Sequence, residues 1–193
     1  MVLRPTLRSA VVALCVAAAI AGCLPVRQSD PSPAPEPVEL ESPPPPGMSS
    51  EGSQYFGYAM PEDWESRSVG AGGTGSVWED PQGTVQAWMA TTTALSAPEA
   101  PNDDVPELWS TQPRYLDRDL TLTDTAHLDV PHADAAFRYD ATDPDGREHV
   151  LFEVYAIDPG KKLSMWIIDT TSEEANEIGA TLVAVSGEDD SDN

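Results

Sequence analysis

The chain has 193 residues, with 33 acidic side chains against 10 basic ones and a formal net charge of −23. A surplus of that size repels phosphate backbones and anionic lipid headgroups, which excludes nucleic acid as a partner and argues against a basic membrane-contact patch. Both cysteines, Cys15 and Cys23, lie near the start, so the rest of the chain has no thiol for a disulfide, a nucleophile or a metal.

Arg4 and Arg8 make a short basic start, and residues 9–21 follow without a charge and are rich in Ala and Val. That is the layout of a secretory signal. The apolar run, about 13 residues, is shorter than the roughly 20 that a membrane-spanning helix needs. At its end, Ile20-Ala21-Gly22-Cys23 resembles the lipobox of bacterial lipoproteins. The resemblance implies cleavage between Gly22 and Cys23, a lipid thioether on the Cys23 sulfur, and a palmitate-type anchor on the extracytoplasmic face of the cell membrane. Two or more acyl chains, at about 0.8 kcal/mol per buried methylene, hold a protein stably where one does not. Residues 1–22 are therefore expected to be a signal peptide.

Residues 23–53 read as a tether. Nine of the 19 prolines lie here, including Pro43 to Pro46, and Glu36, Glu39 and Glu41 add like charge. Such a segment buries too little apolar surface to fold and is stiffened by polyproline geometry. Residues 54–187 read as one domain, and residues 188–193 as an acidic, disordered tail.

Within the domain, Gln54 to Met60 is an expected strand with Phe56, Tyr58 and Met60 on one face. Gly70-Ala71-Gly72-Gly73-Thr74-Gly75 matches the dinucleotide fingerprint by letter. A strand and a turn follow it, not the helix whose N-terminus would meet a pyrophosphate, so it reads as an inter-strand loop. Asp80-Pro81-Gln82-Gly83 is a turn, and Thr84 to Thr93 a strand with Val85, Ala87 and Met89 inward and Trp88 opposite. Asn102 to Asp104 and Pro106 mark a helix start. Leu120 to Val130 alternates, with Leu120, Leu122, Ala126, Leu128 and Val130 facing in. Ala135 to Thr142, Glu148 to Ile157 and Leu163 to Asp169 are three strands, the last two apolar on both faces and therefore central. Thr171 and Glu174 form a capping pair for a helix with Ala175, Ile178, Leu182 and Val185 on one stripe, stopped by Gly187.

This order of elements, with Pro61 and Trp64 closing the first strand and Val130-Pro131-His132-Ala133-Asp134-Ala135-Ala136-Phe137-Arg138-Tyr139 leading into the central hairpins, resembles the PsbP-like family. Bacterial lipoproteins of the LpqN type belong to that group. The resemblance implies an α+β fold, a single antiparallel β-sheet with helices packed on it, and a binding or assembly role rather than catalysis. Layered-fold logic gives about five to seven strands and at least two helices.

The chain has no Gly-x-Ser-x-Gly elbow and no Ser-x-x-Lys pair, and a serine without an activating base is a poor nucleophile. Asp143, Asp145 and Gly146 hint at a calcium loop, but the ligand positions at its two ends would be Ala141 and Phe152, so a hairpin turn is the reading. His127, Asp129, His132 and Asp134 are the best metal candidates, and a metal-assisted hydrolase built on them is the alternative function. The main expectation is a lipid-anchored, non-catalytic envelope module without a cofactor. Its partner is an envelope protein or a small ligand, met at a recognition edge formed by Gly70, Gly72, Gly75 and Trp88.

Overall fold

A computed structural model describes residues 38–69, 75–102, 120–168 and 170–185. Ten strands and one helix lie in these residues: β1 (Met48–Gly52), β2 (Phe56–Pro61), β3 (Glu65–Val69), β4 (Gly75–Glu79), β5 (Val85–Thr93), β6 (Thr121–His127), β7 (Ala135–Thr142), β8 (Glu148–Ala156), β9 (Lys161–Ile168), α1 (Ser172–Gly179) and β10 (Val183–Ala184). They form a seven-stranded sheet in the order β3-β4-β5-β9-β8-β7-β6 and a three-stranded sheet in the order β1-β2-β10.

The expected α+β architecture, one sheet with several helices packed on it, is thus corrected to two facing sheets and one short helix among the described residues. Two features of β2 explain the second sheet. Gly57 leaves room on one side, where a Cβ would meet Val183 Cγ1 and the Val38 carbonyl oxygen at 2.8 Å. β1 and β10 then pair antiparallel along its two edges. The helix expected from Asn102 onward falls almost entirely outside the described residues.

α1 starts as the sequence implies and ends sooner. Thr171 Oγ1 accepts from Glu174 N at 3.2 Å, and Glu174 turns its Oε2 to the Thr170 hydroxyl at 3.0 Å. Ala175 and Ile178 are fully buried. The last helical residue is Gly179, not Gly187, and β-branched Thr181 and Val183 carry the chain into β10. Thr181 Oγ1 donates to the Ile178 carbonyl and accepts from Ala59 N, both at 2.7 Å, which ties the helix end to β2.

The tether expected over residues 23–53 also needs correcting at its far end. β1 lies within it, and Val38 N bonds the Ser53 carbonyl at 2.9 Å. The described residues from Val38 onward belong to one compact unit. Met48 supplies the reason, since it is 7% exposed and belongs to the main core.

That core fills the space between the two sheets and α1, where Phe56, Met60, Trp78, Phe152, Met165 and Ile178 meet. Burying each such side chain contributes about 1.5–3 kcal/mol. A second cluster lies on the opposite face of the large sheet and includes Phe137, Tyr139, Leu151, Tyr155 and Trp166. β8 and β9 feed both clusters, as strands apolar on both faces must. The expected single inward face of Leu120 to Val130 is broken by a register shift between Leu122 and Asp124. The shift turns Leu122 toward the second cluster, while Leu128 and Val130 pack in the first.

Candidate functional site

Alternation sends opposite faces of the same strands to different tasks. On β5, Ala87 and Met89 enter the main core, and Trp88 points the other way, directly across from Trp166 and Val77. Trp88 is only half-buried. Gly75 lines a cleft with its backbone, and Gly70 and Gly72 fall outside the described residues, as do Gly22 and Cys23. Gly75 pairs with Ala90, two residues along β5 from Trp88, so Gly75 and Trp88 of the expected edge lie on neighbouring strands.

The cleft measures about 420 Å³ and opens where the β1–β2 turn splays from the ends of β4, β5 and β9. Tyr58, Met89 and Leu163 supply its apolar lining, and Ser53, Ser76 and Thr91 its hydroxyls. Lys161 stands at this end with its Nζ 4.9 Å from the centre of the Tyr55 ring. A cation–π contact at such a partly exposed site is worth about 0.5–1 kcal/mol. Burial, with the Glu51 carboxylate second, pushes the Tyr58 phenol well above its ordinary value. Tyr58 is therefore a neutral hydrogen-bonding group at any physiological pH.

A buried polar island interrupts the second cluster. Glu153 is 2% exposed. Its carboxylate accepts from Lys162 Nζ at 3.0 Å, from the Tyr155 hydroxyl at 3.1 Å and from the Tyr139 hydroxyl at 3.4 Å. The Tyr139 hydroxyl in turn accepts from Asn102 N at 3.3 Å. Burial first, then Glu153 against the partly opposing Asn102 bond, pushes the Tyr139 phenol up to about 12. Burial and then Glu153 raise Tyr155 as well. Each of these partners holds Glu153 as a fixed acceptor, so the island bonds β7, β8 and β9 together.

The expected metal ligands are dispersed. His127 packs edge-on against Phe137 with centroids 5.0 Å apart. Asp129 is exposed at the end of that strand. His132 adopts a left-handed φ of 61° and faces Glu41 at 3.5 Å. Asp134 Oδ2 accepts from Ile157 N at 2.6 Å. Among the described residues no group of three His, Cys, Asp or Glu side chains is gathered closely enough to hold a metal ion. Asp143 is a turn-former: its Oδ1 accepts from Asp145 N and Arg147 N, both at 2.9 Å, and Gly146 takes φ 81°. Among the described residues, no helix is long and apolar enough to cross a membrane.

Sequence reasoning missed Glu153, Lys161 and Tyr55. A carboxylate set between Val150-Leu151-Phe152 and Val154-Tyr155-Ala156 was a readable sign of Glu153. Lys161-Lys162, the one lysine pair in the chain, was a sign of the cleft's cation.

No family model matches the chain. No curated protein matches it either. Among solved structures it is similar to the solution structure of cyanobacterial PsbP (CyanoP) from Synechocystis sp. PCC 6803. The identity is 10%, the match covers 72% of this chain and 93% of that chain, and the TM-score is 0.47.

Proposed function

We propose that this chain is a lipid-anchored extracytoplasmic lipoprotein whose two-sheet domain is a non-catalytic binding module of the cell envelope, akin to the LpqN-type lipoproteins. Ile20 to Cys23 supports the anchor, and the proline-rich stretch after it supports a spacer that holds the domain off the membrane. The observation that carries the binding role is the cleft of about 420 Å³ between the sheet ends. Its volume falls within the roughly 300–1,000 Å³ of small-ligand sites, with an apolar floor and a few polar groups. In the alternative, a metal-assisted hydrolase built on His127, Asp129, His132 and Asp134, Asp134 already holds the Ile157 amide and His132 faces Glu41.

Photo-crosslinking in the native cell tests this role. A benzophenone residue replacing Ser53, at the cleft, should capture a discrete envelope ligand or partner. The same probe replacing exposed Ser66 on β3 should not. Equal capture from both positions would contradict the cleft as the binding surface.

A further inference from the structure

Of the described residues lining the cleft, none is acidic and one, Lys161, is basic. In a chain with 33 acidic and 10 basic side chains this is an unusual patch. The second groove of the domain, about 410 Å³, shows the ordinary pattern, with Asp124, Asp140 and Glu148 around Arg138. Three other cations among the described residues follow that pattern too. Arg67 pairs with Glu79 at 2.7 Å, Arg138 with Asp140 at 2.6 Å and Lys162 with Glu153 at 3.0 Å. Lys161 has no carboxylate partner among the described residues and lies instead over the Tyr55 ring.

We infer that the cleft takes a small ligand with one anionic head on a compact apolar body, with Lys161 as the head's counter-charge. The inference rests on the cleft being the binding surface and adds the ligand's chemistry. The geometry suits that division of labour. Lys161 and Leu163 alternate along β9 on the same face, Leu163 pairs with Thr91, and Met89 pairs with Ser76. A head at Lys161 thus places a body over Leu163 and Met89, with hydroxyls beside it. The chain's long-range negative field opposes anions, but at physiological salt it is screened beyond about 8 Å, so the local lining decides. An ammonium is a point charge without the planar fork that would distinguish a carboxylate from a phosphate.

The test titrates the full chain, in a non-ionic detergent, with three probes sharing one ring: phenylacetate, phenyl phosphate and neutral phenylacetamide. Binding is followed by NMR shifts of labelled Met methyls. At least one anion should bind about tenfold more tightly than the amide, as expected for a charge-assisted contact. Whichever anion wins identifies the head. The preference should vanish in Lys161→Gln, persist in Lys161→Arg and Arg67→Gln, and weaken with salt. Circular dichroism checks that the variants fold. Equal binding of all three probes overturns the charge assignment but leaves the cleft as a binding surface. Binding of none overturns both. Val185 N donates to the Tyr55 carbonyl at 2.9 Å, and four acidic residues follow it in sequence between 188 and 192. Anion binding seen only when the chain is ended at Val185 would make that tail the partner of Lys161 and overturn the proposal.

Discussion

Gly179 and Phe152 are in direct apposition: a Cβ on Gly179 would lie 2.9 Å from both Cε1 and Cζ of the Phe152 ring. Phe152 is 1% exposed, so the ring has nowhere to go. This contact sets how closely α1 sits on the large sheet.

Gly179→Ala is expected to destabilise the domain by about 1–3 kcal/mol through overpacking, outweighing the gain of about 1 kcal/mol in helix propensity. Urea unfolding gives the difference. The double variant with Phe152→Leu should be less destabilised than the two single changes summed, because the smaller side chain relieves the clash. Strict additivity would contradict the contact.

Glu153 is expected to matter through what it leaves behind. Glu153→Ala strands Lys162 and two buried hydroxyls, and should cost about 3–5 kcal/mol, the range for breaking a buried pair from one side. Glu153→Gln keeps an acceptor for Tyr139 and Tyr155 and should cost less. If the two variants melt together, the hydroxyl bonds contribute nothing.

Tyr139 gives the fold an alkaline limit. Its phenol is raised from 10.0 to about 12 in the folded protein, chiefly by burial. The folded state therefore holds its proton more tightly than the unfolded chain. The associated stability is fully present below pH 10.0 and is lost as pH rises toward about 12. Denaturation midpoints measured across that window should fall, with a shallower fall in Tyr139→Phe. An unchanged slope would mean that other groups set the limit.

Two turns share the pattern Asp-Pro-x-Gly but differ in burial. Asp80 Oδ1 accepts from Gln82 N at 2.9 Å and Thr84 N at 2.8 Å at the surface. Asp143 makes the equivalent bonds while 5% exposed, with Oδ2 3.6 Å from buried His149 Nε2. Asp143→Ala should cost about 1–3 kcal/mol, the penalty for stripping buried donors of their acceptor. Asp80→Ala should cost less. The Asp80 carboxyl lies below its usual value, first because of the Thr84 amide, so its contribution is present at neutral pH and fades as pH falls through the folded value. Parallel thermal melts of the two variants decide the order.

Strand pairing in the large sheet was legible where periodicity was clean. Phe137 and Tyr139 against Arg138, and the two-faced β8 and β9, sit on the faces that alternation implies. The second sheet was not legible, because β1 lies in a stretch dominated by proline and serine, and β10 has two residues. Ala175 and Ile178 of the expected helix stripe are buried in α1, but Leu182 and Val185 lie beyond its end at Gly179, and a helical period cannot show that Phe152 packs against Gly179. The cleft was hidden because Tyr55, Ser76, Met89 and Lys161 come from four separate elements and turns, joined only by register. His127 to Asp134 looked like a cluster in sequence and is spread by the left-handed turn at His132.

Metabolic labelling with an alkyne fatty acid in a bacterial host tests the anchored reading most directly, with wild type and Cys23→Ala compared after detergent partition. Label on the wild type, partition into the detergent phase, and loss of label with accumulation of a longer precursor in Cys23→Ala are predicted. Label retained by Cys23→Ala, or an unlabelled wild-type chain released to the medium, would contradict it.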